Sequence, residues 1–214
     1  MGFFESIYRV IFSYYKGLGR VAEQKNIWQG LGIYLAVTLL ALFSSITVYL
    51  AVGEDILQVP AELSHFLPRH VFDSFLLFLP VAVLLFHLVF GPLYFLFSVA
   101  VLHFIAILFG GRGNVFAVGA VLGYAYLPYL LVALGGLLSH LDLAGVTLYL
   151  FVAAFLWSTL LKVTGLKQVY NFAWRRAAFV YFMPLIVLST AIILFLLLSI
   201  VFLIPPILQF LENL

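Results

Sequence analysis

Residues 71–109 run for thirty-nine positions with Asp73, His87 and His103 as their only ionisable side chains, tyrosine aside. As one helix this stretch is about 58 Å long, roughly twice the hydrocarbon core of a bilayer. Gly91-Pro92 stands at its midpoint. The chain therefore either turns there between two short spans, or crosses once as a long helix kinked at Pro92 with an overhanging first half. Both readings exclude a soluble fold. Only 8% of residues are charged, against about a quarter in soluble domains.

Charge placement separates the two readings. Further apolar stretches cover 28–52, 115–138, 145–163 and 179–203. If 71–109 crosses once, the chain has five spans and its inner segments hold Arg9, Lys16, Arg20, Lys25, Arg112, Lys162, Lys167, Arg175 and Arg176. That is nine of the ten Lys and Arg. Six spans would put the basic loop 162–178 opposite the basic N-terminus, against the positive-inside tendency. The expectation is an all-α polytopic membrane bundle of five transmembrane helices, with a cytoplasmic N-terminus and the C-terminus on the opposite side. Glu5, Arg9 and Lys16 interrupt the N-terminus before any long apolar core, so no cleavable signal is expected.

Two stretches look interfacial. Over 3–22, Phe4, Ile7, Tyr8, Ile11, Tyr15, Leu18 and Ala22 keep helical spacing, with Arg9, Lys16, Arg20 and Lys25 mostly apart. This predicts one amphipathic helix, either in the headgroup plane or packed on the inner ends of the spans. It sets residues 1–27 apart from a membrane domain over 28–214. In 164–178, Leu166, Val169, Tyr170, Ala173 and Ala177 repeat the pattern and predict a second interfacial helix. The last span is expected to start near Phe179, to carry Pro184 and to end at Pro205-Pro206. Trp28, Trp157 and Trp174 all fall near the inner interface in this topology.

The most informative turn is Gly110-Gly111-Arg112-Gly113-Asn114. Its glycines admit φ > 0 and Asn114 can cap the following helix. Gly119 and Gly123 form a GxxxG contact face, within the bundle or between protomers. The tip is either an ordinary turn with a positive-inside arginine or a site for an anionic lipid headgroup. It lacks the strand, the Lys-Ser/Thr pair and the spacing of a phosphate P-loop. Tyr124, Tyr126 and Tyr129 surround Pro128, which bends the third span or marks a cavity. His87 and His103 point about 160° apart on a straight helix. Structural hydrogen bonding suits both, and His103, facing the tip, is the better functional candidate. Glu54, Asp55, Glu62, His65, His70 and Asp73 read as a solvated outer loop, without a metal spacing. No cysteine is present. Ser139-His140 has no acid within the spans to orient a base. No enzyme, cofactor or metal is expected. A net charge of +2 without a long basic run argues against nucleic acid.

His103, Phe109-Gly110-Gly111-Arg112-Gly113, Gly123-Tyr124-Ala125-Tyr126-Leu127-Pro128, Arg176-Ala177 and the basic aromatic opening resemble the Yip (Ypt/Rab-interacting protein) domain family, in its prokaryotic branch. The resemblance covers most of the chain in order. It implies five membrane helices and a cytoplasmic N-terminus, and the expected location is the plasma membrane. Eukaryotic relatives bind small GTPases and one another and act in membrane shaping. Many carry an Asp-Leu-Tyr-Gly-Pro motif, for which Phe90-Gly91-Pro92 is the nearest match here, without the acid. That argues against a small-GTPase partner. The expected role is a non-enzymatic membrane-organising or partner-recruiting scaffold meeting the lipid bilayer, anionic lipids included, through Arg112, Arg175, Arg176 and the tip. A homo-oligomer or another membrane protein is the other partner considered. The alternative is a small transporter, channel or lipid-handling protein with a path near His87, His103 and the Pro128 bend. Against it, no Asp, Glu, Lys or Arg is expected mid-span.

Overall fold

In lipid every backbone N–H and C=O must find a partner within the protein, so apolar runs of this length become helices. The computed structural model describes residues 2–56, 69–139 and 144–212. In chain order these form α1 (Phe3–Phe12), α2 (Tyr14–Gln24), α3 (Ile27–Ile56), α4 (Arg69–Leu108), α5 (Val115–Tyr124), a 3-10 turn (Leu127–Tyr129), α6 (Leu130–Ser139), α7 (Ala144–Tyr170) and α8 (Trp174–Glu212). Five stretches are long and apolar enough to cross a membrane: Ile27–Ile46, Phe78–Leu108, Val115–Gly136, Gly145–Tyr170 and Trp174–Phe202. Glu62, His65, His140 and Asp142 lie outside the described residues.

The five-span reading holds. Helix α4 continues through Pro80 and Pro92 for 40 residues, about 60 Å at 1.5 Å per residue. The two-span alternative for 71–109 is excluded, because no turn interrupts that helix.

Four expectations need correction. The single helix over 3–22 is two helices, broken at Ser13 with φ −138° and ψ 52°. Folding back lets both bury an apolar edge, and Gly17 permits contact with the Arg9–Val10 backbone. The second interfacial helix over 164–178 does not exist. That stretch is the end of α7, a short turn and the start of α8. Its apolar spacing serves the bundle instead, with Leu166, Tyr170 and Ala177 all buried. The third span is interrupted rather than bent: α5 stops at Tyr124 and Pro128, which has no N–H, sits in the 3-10 turn. Finally, α8 runs past Pro205-Pro206 to Glu212. Lipid offers its backbone no partner outside the helix.

Helix α5 is the hub. Every residue from 117 to 124 is buried, and α5 touches α2, α3, α4 and α7. Small residues make this possible. A Cβ on Gly123 would overlap the Gly30 backbone of α3, one on Gly119 would strike the Ile27 side chain, and one on Gly165 of α7 would overlap Val121. Helix α8 joins through its first turns, where Ala177 and Val180 are fully buried, while between Leu185 and Phe202 its large apolar residues are exposed. Lipid is their natural surrounding.

Replacing Gly123 by Ala must push α3 from α5. The expected loss is about 1–3 kcal/mol, read as earlier thermal unfolding in detergent. Gly32→Ala, where the new methyl meets nothing within 4 Å, serves as control and should unfold at or above the wild-type temperature.

Candidate functional site

The tip between α4 and α5 is built from backbone first. Gly110 takes φ +75°. Its N–H donates to the Ile107 carbonyl at 2.8 Å, and the Gly111 N–H donates to the Ala106 carbonyl at 2.8 Å. This is the Schellman closure, which uses carbonyls left open at a helix end. Asn114 Oδ1 then accepts from the Phe116 N–H at 2.8 Å and starts α5. Helix α7 ends the same way, with Asn171 at φ +53° and the Phe172 N–H donating to the Lys167 carbonyl at 3.0 Å.

Tyr170 ties the two ends together. Its ring packs so closely on the tip that a Cβ on Gly111 or on Gly113 would come within 2.6 Å of it. Its hydroxyl is 2.5 Å from His103 Nδ1, and its ring stacks on Phe172 with centroids 5.3 Å apart. The Arg176 guanidinium lies 5.0 Å from the Phe172 ring.

Helix α2 closes the other side. Its Leu18 and Val21 join Val10, Ala120, Val121, Tyr124 and Leu161 in one apolar cluster. Gln168 Nε2 donates to the Tyr15 carbonyl, and Lys167 Nζ stands 5.1 Å from the centre of the Tyr15 ring. Between α2, the tip and the end of α7 a cleft of about 790 Å³ remains. Lys16, Arg20, Lys25, Arg112 and Lys167 line it, and Glu23 is its one acidic side chain among the described residues. An electropositive concavity of this kind attracts anions.

The sequence-predicted residues divide among several places. Arg112, Gly113 and Asn114 line the cleft. Gly110 faces Arg176 and Gly111 faces Tyr170 and Phe172, while Arg175 is exposed. His103 meets Tyr170. His87 faces Tyr34 of α3, with ring centroids 6.2 Å apart, so the two histidines share no site. Tyr124 and Pro128 are buried away from the cleft, Tyr124 beside Ser6 of α1. Gly119 and Gly123 serve the α3–α5 contact.

Lys162 corrects the expectation that no charge lies mid-span. It stands within α7 eight residues before Tyr170, about 12 Å along the helix. Its Nζ is 4.1 Å from the Tyr126 ring centroid, and no carboxylate pairs with it among the described residues. Ending the fourth span at residue 163 hides it. The cleft cations Lys16, Arg20, Lys25 and Lys167 are likewise missed as site residues. The one signal for them is that Lys16 and Arg20 are four apart, on one helix face.

A family model described as Yip1 domain matches residues 9–198. The chain belongs to the Yip1 domain family. Neither the curated proteins nor the solved structures give a match. The matched Yip1 domain begins inside α1 and ends inside α8, so the whole cleft and Lys162 lie within it.

Tyr170→Phe keeps the ring against the tip but removes the partner of His103. The expected cost is about 1 kcal/mol in thermal unfolding. Gly113→Ala forces the ring itself to move and should speed amide hydrogen exchange at Gly110 and Gly111, which Gly2→Ala should leave unchanged.

Proposed function

We propose that this protein is a non-enzymatic membrane-organising scaffold, held with its basic end and N-terminus in the cytoplasm and its C-terminus on the opposite side of the plasma membrane. Apart from Lys162 within α7 and Arg69, all the Lys and Arg fall in the segments assigned to the inner side, which supports that orientation. The family is generally not enzymatic.

The observation that carries the scaffold reading is α1. It buries Ser6 and Val10 against the bundle, while Phe4, Tyr8 and Phe12 point away along one stripe, 82%, 63% and 71% exposed. Helix α1 packs on α2 and touches the 3-10 turn Leu127–Tyr129, and on this reading the stripe inserts among acyl chains. Burying an aromatic side chain there gains about 1.5–3 kcal/mol. An inserted helix that occupies one leaflet only expands that leaflet and favours curvature.

Purified protein in proteoliposomes should tubulate them or sort to the smallest vesicles in electron micrographs. The variant Phe4→Ser/Tyr8→Ser/Phe12→Ser should lose this while unfolding at the wild-type temperature. Retained tubulation would rule the wedge out. This variant is cleaner than deleting residues 3–22, because Leu18 and Val21 belong to the core.

A second reading, transport or lipid handling, is favoured by one feature. Lys162 stands over Tyr126, which in turn contacts Tyr34 and Tyr129 with centroids 4.7 and 5.7 Å away. Unpaired cations inside membrane segments mark substrate paths in other proteins. If this reading holds, proteoliposomes scramble labelled lipid or pass small anions, and Lys162→Gln abolishes the flux; absence of flux in the wild type removes it.

A further inference from the structure

We propose that the cleft between α2, the tip and the end of α7 is a binding site for a phosphate-bearing anion carrying two or more negative charges. This inference does not depend on α1 bending membranes.

The cations converge from three separate parts of the chain. Lys16, Arg20 and Lys25 come from α2 and its end, Arg112 from the tip, and Lys167 from the last turn of α7. Such convergence is a product of tertiary folding and not the basic face of one helix. Among the described residues, Lys16, Lys25, Arg112 and Lys167 form no ion pair. Like charges gathered around one concavity repel, and a multivalent anion removes that repulsion. A single carboxylate, Glu23, leaves the balance strongly positive.

Chemistry and depth both point to phosphate. The Arg112 guanidinium presents a planar donor fork that matches two phosphate oxygens, and the lysines add mobile point charges around it. Asn114 and Asn171 line the same cleft, and amides supply neutral donors for ester or hydroxyl oxygens. Lys25 holds φ +52° at the end of α2, a left-handed position where glycine is the usual residue. A volume of about 790 Å³ exceeds a single phosphate and accommodates a diphosphate or a glycerophosphate headgroup. Trp28 and Trp174, both exposed, stand three residues beyond Lys25 and Asn171. Indole rings settle at headgroup depth, so the cleft opens where lipid phosphates lie.

The test uses the full-length protein in detergent. Native mass spectrometry compares retention of cardiolipin, phosphatidylglycerol and phosphatidylcholine, and a parallel titration adds pyrophosphate as a soluble probe. Cardiolipin, with two phosphates, should be retained over singly charged phosphatidylglycerol and net-neutral phosphatidylcholine, and Lys16→Gln/Arg112→Gln should weaken it roughly 30-fold, while Arg9→Gln, outside the cleft, should not. Pyrophosphate that binds the wild type and displaces the lipid identifies a free phosphate compound as a ligand. Lipid retention that pyrophosphate leaves untouched identifies the headgroup. Both outcomes require the cleft variant to lose binding. Equal retention of cardiolipin and phosphatidylglycerol without pyrophosphate binding, or wild-type binding by the double variant, overturns the proposal. Because these cations are exposed, thermal unfolding of the ligand-free variant at or above the wild-type temperature separates lost binding from lost folding. Lys25→Gln/Lys167→Gln provides an independent pair.

Discussion

The bundle depends on the close approach of two backbones, where Gly30 of α3 lies against Gly119 and Gly123 of α5. Inside a membrane, helix association draws little from the hydrophobic effect, because lipid tails are as apolar as leucine. What remains is dispersion contact, which falls off steeply with distance and so rewards glycine at the crossing. With α3 seated there and Gly165 of α7 receiving Val121 from another side, α5 becomes enclosed. The remaining elements then have a fixed centre to pack around. Helix α2 gains its place through the same hub, since Leu18 and Val21 rest on Ala120 and Val121.

That geometry also sets up the basic end. Two helix ends closed by the same backbone motif meet at Tyr170, whose ring fills the space that Gly111 and Gly113 leave open and whose hydroxyl reaches His103. With the tip held this way, Arg112 stands beside the end of α7, and α2 crosses opposite. Cations distant in sequence then share one cleft. The same packing leaves the outer face of α1 as an aromatic stripe and turns Lys162 inward over Tyr126. An exposed aromatic stripe, a polycationic cleft and a partly buried lysine all lie on or near one hub.

Much of the fold is legible in the residues. Apolar runs separated by Gly, Asn and Pro set the helices, and the asymmetry of Lys and Arg selects one crossing for 71–109 over two. Gly110 and Asn114 carry their turn chemistry openly, because a left-handed position and an N-cap depend on the residue itself and its immediate neighbours. The second interfacial helix is a misreading with a physical cause. An amphipathic period reports that one face is covered, but not whether lipid headgroups or neighbouring helices cover it. Leu166, Tyr170 and Ala177 are covered by helices.

The sequence by itself determined the medium, the number of crossings and the construction of the tip, because transfer free energy, charge asymmetry and backbone sterics act over one segment at a time. Tertiary structure alone decided that α1 folds back on α2, that α7 continues to Tyr170 and carries Lys162 inside, and that cations from α2, the tip and α7 border one cleft. Those outcomes depend on which glycine faces which backbone across the bundle. Such contacts join residues far apart in the chain, and no local periodicity records them.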